Sequence, residues 1–145
     1  MEILKWLRSE GCPWNAWACS NAAWFGHLEI LKWLRSEGCP WDAGAWVCAA
    51  SGGHLEILKW LSSEGCPGNE WACACAAEGG HLEILKWLRS EGSPWDEGTC
   101  EEAASQRHSS IYLDVLKWAM NNGCPYEVND ETKWSLGELG YIAQY

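Results

Sequence analysis

The phrase Gly-His-Leu-Glu-Ile-Leu-Lys-Trp-Leu occurs three times without change, at residues 26–34, 53–61 and 80–88, so each copy begins 27 residues after the last. A second phrase, Gly-Cys-Pro, recurs at residues 11–13, 38–40, 65–67 and 123–125, with Gly-Ser-Pro at 92–94. Self-similarity at a fixed period predicts a chain built from copies of one small structural unit, stacked so that neighbouring copies bury a common core.

The repeated phrase predicts an amphipathic helix. Leu28, Leu31 and Leu34 fall on one helical face, and the charged residues between them fall on the other. Gly38 supplies a left-handed residue that ends the helix, and Pro40 prevents its continuation.

The segment after each turn predicts a second kind of helix, at about residues 43–51 in one copy, with Asp42 as its N-cap. This segment is rich in small side chains, which allow helices to approach closely. Alanine pairs recur in it at residues 22–23, 49–50, 76–77 and 103–104. We therefore expect these helices to form the contact between successive units.

The run Ala-Ala-x-x-Gly-His-Leu-Glu-Ile-Leu-Lys-Trp-Leu at residues 76–88 resembles the middle of an ankyrin repeat. It is similar in particular to the short, Trp-rich ankyrin-like arrays of giant viruses and protists. The resemblance implies an all-α solenoid of stacked two-helix repeats. The period of 27 residues is shorter than the usual 33, so we expect tight turns and little or no β-hairpin finger.

We expect a single array over residues 1–145. The predicted parts are a partial N-terminal helix at 1–11, full repeats at 12–38, 39–65 and 66–92, a repeat with a four-residue insertion at 93–123, and a degenerate repeat at 124–145. The first residues match the middle of the repeated helix, so we expect the chain to be a fragment excised from a longer array or the product of a very short gene. Incomplete ends would expose apolar helix faces and allow end-to-end self-association.

The composition excludes several classes of partner. The chain has 145 residues, with 20 acidic and 10 basic ones and a net charge of −10. Such a chain repels the phosphates of nucleic acids and the anionic surfaces of membranes. It contains no apolar run of the roughly 18 residues that span a bilayer and no signal-peptide pattern at its start.

The nine cysteines predict free thiols. Equivalent residues of stacked helices lie about 8–10 Å apart, which is too far for a disulfide, whose Cα atoms lie within about 7 Å. Free thiols indicate a reducing compartment, hence the cytoplasm or nucleus, of a host cell if the source is a virus or parasite. Cys73 and Cys75 supply two metal ligands rather than four, so we expect no metal site.

The sequence offers no candidate for catalysis. His27, His54, His81 and His108 recur once per repeat, which indicates a structural hydrogen bond rather than a single catalytic histidine. No phosphate-binding loop, nucleophile elbow or pair of catalytic carboxylates is present. We therefore expect neither enzymatic activity nor a cofactor.

Variation inside the otherwise constant repeat gives the best functional signal. The first helix varies two, four, five and six residues after its cap, and in ankyrin-like arrays this helix lines the concave partner-binding groove. Positions free to vary are usually exposed, which predicts a binding surface, although drift on a solvated face would give the same pattern. The predicted surface comprises Trp17, Trp46, Trp71, Glu101 and Glu102.

Other tryptophans follow the same repeat. Trp14, Trp41 and Trp95 come directly after the turn proline and either staple the turn to a neighbouring unit or form a partner-binding stripe. The tryptophan of the repeated phrase, as in Trp33, is expected to pack in the core. The inserted segment adds Arg107 and His108, a small basic and polar contact site.

The resemblance implies a non-catalytic module that binds another protein on a concave, Trp-rich and acidic surface. Two alternatives remain open. The chain would be a structural spacer in a longer array if its exposed residues bind nothing. Less favoured is a Cys-rich metal or redox protein.

Overall fold

The computed structural model describes residues 1–106 and 109–127, together with Gly137. Over this part of the chain all regular structure is helical, with nine α-helices and no strand, so the predicted all-α fold with short connections is confirmed. The helices are α1 (Glu2–Ser9), α2 (Ala16–Trp24), α3 (Leu28–Ser36), α4 (Gly44–Gly52), α5 (Leu55–Ser63), α6 (Ala72–Glu78), α7 (Leu82–Ser90), α8 (Glu97–Ser105) and α9 (Ser110–Asn121). Arg107 and His108 lie outside the described residues.

The chain divides into two compact units, Met1–Pro67 and Gly68–Tyr145. We call α2, α4, α6 and α8 first helices, and α1, α3, α5, α7 and α9 second helices. In the unit Met1–Pro67, α2 packs on α4, and each of them packs on its own second helix, α3 or α5. In the unit Gly68–Tyr145, α6 packs on α8 in the same way, with α7 against α6 and α9 against α8.

The first helices carry the stacking in each unit, as their small residues predicted. All four alanine pairs, at residues 22–23, 49–50, 76–77 and 103–104, are buried. The second helices contribute the large core side chains, such as Leu31, Leu58 and Leu85. Because alanine leaves room between backbones, the first helices of neighbouring repeats can pack closely.

Glycine ends both helices of a repeat. Gly38 follows α3 with φ of 80°, and Gly53 follows α4 with φ of 81°. The residue after each glycine donates its backbone N–H to the carbonyl oxygen five residues earlier, from Cys39 to Leu34 at 2.9 Å and from His54 to Ala49 at 2.9 Å. This is the Schellman arrangement, which requires a left-handed residue that glycine adopts without strain.

Two side-chain hydrogen bonds explain why the turn cysteine and the histidine of the repeated phrase recur. The turn thiol of one repeat donates to the carbonyl oxygen of the cap residue one repeat earlier, as in Cys39 to Asn15 at 3.5 Å and Cys66 to Asp42 at 3.6 Å. Nε2 of His54 donates to the carbonyl oxygen of Trp24 at 2.9 Å, which ties the start of α5 to the end of α2. The turn cysteine is thus a weak donor as well as a small apolar residue.

The insertion lengthens a helix. The helix α9 has 12 residues, whereas α3, α5 and α7 have nine. The added turn brings Ile111 and Tyr112 close to Gly80, where a Cβ atom would lie 3.0 and 3.2 Å from their side chains. At the matching glycine, Gly26, the nearest neighbour is the ring of His54. Two large side chains therefore cover the turn at Gly80, whereas the ring of His54 covers the turn at Gly26.

Candidate functional site

At the starts of α2, α4 and α6 an asparagine or aspartate side chain accepts a hydrogen bond from the backbone N–H two residues later. Oδ1 of Asn15 accepts from the N–H of Trp17 at 3.1 Å, and Oδ1 of Asn69 accepts from the N–H of Trp71 at 2.6 Å. These two tryptophans, predicted as surface residues, project from the helix starts with 70% and 57% of their area exposed. Each of them presents a large apolar surface to solvent at the start of a first helix.

In the next repeat of each unit a glycine takes the place of the tryptophan. The series two residues after the cap reads Trp17, Gly44, Trp71 and Gly98. Beside each exposed tryptophan lies a hollow, which we name after the tryptophan. The Trp17 hollow, about 400 Å³, is lined by Ala16, Trp17, Asp42, Ala43 and Gly44. The Trp71 hollow, about 330 Å³, is lined by Glu70, Trp71, Pro94, Trp95 and Asp96.

The glycines are needed because the carboxylates lie close above them. Oδ1 of Asp42 accepts from the N–H of Gly44 at 2.8 Å, and a Cβ atom on Gly44 would lie 2.8 Å from that oxygen. A Cβ atom on Gly98 would lie 2.9 Å from Oδ1 of Asp96. A side chain at either position would displace the neighbouring carboxylate, and one at Gly44 would also enter the Trp17 hollow.

Trp46 does not belong to this surface, and its prediction as an exposed residue is wrong. Only 6% of its area is exposed, and its indole N–H donates to the carbonyl oxygen of Cys66 at 3.1 Å. The position four residues after the cap faces the core in every repeat, because Cys19, Cys73 and Cys100 are also buried there. Variation at this position reflects packing rather than solvent exposure.

The acidic part of the predicted surface is less open than the tryptophans. Glu101 and Glu102 lie on α8 and are half-buried. Neither lines the Trp71 hollow, whose carboxylates come from Glu70 and Asp96. Sequence comparison within the repeat missed Asp96, because an aspartate at a helix start reads as a cap. The matching residue Asp42 shows that the same carboxylate can cap the helix and line a hollow.

The tryptophans after the turn proline are half-buried and bridge successive second helices, which favours the staple interpretation. The ring of Trp41 lies 5.5 Å from that of Trp60, edge to face, and the Arg35 guanidinium lies 4.0 Å above it. The same arrangement recurs for Arg8, Trp14 and Trp33 and for Arg89, Trp95 and Trp118. The tryptophan of the repeated phrase is therefore half-buried beside a turn rather than in the core, and in α1 the same residue, Trp6, is 60% exposed.

An apolar cavity of about 330 Å³ lies among α1, α2 and α3. Leu7 lines it from α1, Phe25 from the end of α2, and Ile30 from α3. The helix α1 has no buried residue, and Ile3 is among its exposed apolar side chains. The self-association expected from such a face stays a prediction.

All nine cysteines are free thiols, as predicted. Burial raises the pKa of Cys66 and of Cys73 to about 11. Burial, together with the neighbouring Cys39, raises the pKa of Cys19 to about 12. In the pair at the last turn, the hydrogen bond from the thiol of Cys100 to the sulfur of Cys124 raises the pKa of the donor. The four thiols whose pKa is raised therefore remain protonated at neutral pH and are poor nucleophiles.

The described residues contain neither a metal-binding cluster nor a helix that could span a membrane. No group of three or more His, Cys, Asp or Glu side chains in that part of the chain could hold a metal ion. No described helix is both long and apolar enough to cross a bilayer.

A family model for ankyrin repeats matches residues 18–98 as three repeat copies. The matched segment is more than half of the chain and includes helices of both units. A search of curated proteins gives no match. With the paired helices, the Gly-His-Leu turns and the stacking of first helices described above, this match shows that the chain belongs to the ankyrin repeat family.

Proposed function

We propose that this chain binds another protein through the starts of its first helices, with Trp17 and Trp71 as the main contact residues. Ankyrin repeats are generally protein–protein interaction modules and are typically non-catalytic. The observation that carries the proposal is the exposure of these two tryptophans, 70% and 57%, at equivalent positions beside a hollow. Exposed tryptophans are the residues most enriched among those that dominate binding energy.

Two further features support a protein partner inside the cell. The net charge of −10 disfavours nucleic acid and anionic membranes as the bound surface. Nine free thiols fit the reducing cytoplasm or nucleus better than an oxidising compartment. A spacer within a longer array remains the competing function, because a spacer needs no exposed recognition residue.

The test is affinity capture from the source cell with the wild type and with the double variant W17A/W71A. A matched control, W6A/W24A, removes two tryptophans that are also exposed, at 60% and 47%, but line neither hollow. Circular dichroism would establish that all three proteins are folded. We expect a partner that the wild type and the control retain and that W17A/W71A loses. Identical profiles for the three proteins would contradict the proposal and favour the spacer.

A further inference from the structure

We propose that the Trp17 hollow and the Trp71 hollow each receive the cationic side chain of a lysine or arginine from a basic segment of the partner. This inference rests on the proposed function and adds the chemistry of the ligand. Each hollow combines an exposed indole ring with at least one carboxylate, and its size accommodates an extended side chain. A cation over the face of tryptophan is attracted by the ring, and a carboxylate beside it adds an ion pair.

The Trp71 hollow is the more developed of the two. The ring of Trp71 is open to solvent, and the carboxylates of Glu70 and Asp96 are both exposed at its rim. Trp95 forms another wall, and one face of its ring is already covered by Arg89 at 4.3 Å. None of the residues that line the hollow is basic. An entering cation therefore meets the free ring of Trp71 and two negative charges.

The Trp17 hollow also has an exposed indole ring beside a carboxylate, but it has one carboxylate instead of two. Oδ1 of Asp42 is engaged by the N–H of Gly44 at 2.8 Å, which holds the carboxylate at the wall facing Trp17. Its other oxygen remains available to a ligand. Tryptophan and aspartate line both hollows, one in each unit, so the combination of an indole ring with a carboxylate is a recurring feature of the repeat.

Seven basic side chains of the described residues are engaged elsewhere. Three post-proline tryptophans, Trp14, Trp41 and Trp95, each carry an arginine at 4.0 to 4.3 Å. No such cation lies over Trp17 or Trp71 within the ranges that the structure describes. Lysines pair with the glutamate three residues earlier, at positions 2 and 5, 29 and 32, 56 and 59, and 83 and 86. With a net charge of −10, the chain should attract a cationic partner.

The test uses the full chain with ¹⁵N-labelled tryptophan and three peptides as probes. The peptides are Ac-Gly-Lys-Gly-NH₂, Ac-Gly-Arg-Gly-NH₂ and the norleucine analogue, which keeps the apolar stem without the charge. Indole N–H signals of Trp17 and Trp71, assigned through the single alanine variants, report binding at each hollow separately. In 0.15 M salt we expect both charged peptides to bind about fivefold or more tightly than the norleucine peptide.

A charge-neutral variant tests the carboxylates. E70Q/D96N removes both acids of the Trp71 hollow and places at position 96 asparagine, which is as common as aspartate at helix starts. The control E78Q/E91Q removes two exposed acids of the same unit that line no hollow. We expect E70Q/D96N to weaken lysine binding at Trp71 by about fivefold. Binding at Trp17 in that variant, and at both hollows in the control, should change by less than about twofold.

Two results would overturn the inference. One is equal binding of the norleucine and lysine peptides, which would mark the hollows as merely apolar. The other is an equal loss in E70Q/D96N and E78Q/E91Q, which would mark the attraction as a general effect of net charge. Either result, combined with loss of the captured partner in W17A/W71A, leaves the proposed function intact. If the hollows prefer the charged peptides but W17A/W71A captures the same proteins as the wild type, the proposed function is contradicted instead.

Discussion

The indole N–H of Trp46 donates a hydrogen bond to the carbonyl oxygen of Cys66, 3.1 Å away and twenty residues later in the chain. The bond joins α4 to the turn that follows α5. It satisfies the only polar atom of a side chain that is otherwise enclosed. Trp46 therefore stabilises the fold, in contrast to Trp17 and Trp71, which meet solvent.

Replacing Trp46 with alanine should destabilise the chain by about 3–5 kcal/mol, because it removes a buried ring and leaves a cavity. W46F keeps most of the apolar volume and should cost about 1–2 kcal/mol for the lost hydrogen bond. The exposed matched variant W17A should change stability by less than about 0.5 kcal/mol. Urea unfolding measures all three. If W46A and W17A unfold at the same urea concentration, the core position of Trp46 is wrong.

Trp46 also shows where reasoning from the repeat reaches its limit. Period, turn glycines and the alanine pairs were enough to predict paired helices and which helix carries the stacking. The exposure of Trp46 was predicted from variation alone, yet the same position holds the buried Cys19 and Cys73. Variation arises in a core too when a change of volume at one residue is compensated by its neighbours. The sequence of one repeat does not distinguish these two causes.

The two hollows were harder to predict from the sequence than the exposed tryptophans beside them. Trp17 and Trp71 were predicted as surface residues because they vary. The Trp17 hollow, however, needs the exposed tryptophan of one repeat to lie beside Gly44 and Asp42 of the next, and the Trp71 hollow needs the same relation between Trp71 and Asp96. That neighbour relation depends on how first helices align between repeats, which periodicity leaves undetermined. The second role of Asp42 and Asp96 was hidden for the same reason.

The cluster of Arg35, Trp41 and Trp60 should be energetically coupled. In the third turn of the chain Ser62 and Gly68 stand where the first, second and fourth turns have arginine and tryptophan. R35S and W41G should each destabilise the chain, and the double variant should cost about 0.5–1.5 kcal/mol less than their sum. A double-mutant cycle by thermal unfolding gives this coupling. Strict additivity would show that the guanidinium over the Trp41 ring contributes nothing specific.

Two turn glycines should differ in their sensitivity to alanine. Gly38, with φ of 80°, has no atom within 4 Å of an added Cβ, so G38A should cost about 1 kcal/mol of backbone strain. At Gly26 an added Cβ would lie 2.6 Å from Cε1 of His54, whose ring is held by Trp24. G26A should therefore cost about 2–3 kcal/mol. Equal losses of stability in chemical denaturation would contradict the packing of His54 against this turn.

The thiols should react in an order set by burial. Cys12 is exposed, Cys48 and Cys75 are half-buried, and the remaining six cysteines are buried. We expect iodoacetamide at neutral pH to modify Cys12 first and the six buried thiols only after unfolding. Peptide mapping by mass spectrometry after timed labelling measures the order. Rapid modification of Cys66 or Cys73 in the folded protein would contradict their burial.

The raised pKa values of Cys66 and Cys73 predict a loss of stability in alkaline solution. In the unfolded chain these thiols ionise near the ordinary value of 9.0, whereas in the folded chain they ionise at about 11. Below pH 9 both states hold the proton, so stability does not depend on these groups. Above pH 9 the unfolded state loses protons first and is favoured, by roughly 1–3 kcal/mol per thiol at pH 11.

The variant C66A/C73A lacks both groups, so its stability should fall less than that of the wild type between pH 9 and 11. Because lysine and tyrosine titrate alike in the two proteins, the difference between their unfolding curves isolates the thiols. Parallel pH profiles would show that the two sulfur atoms are solvated in the folded state.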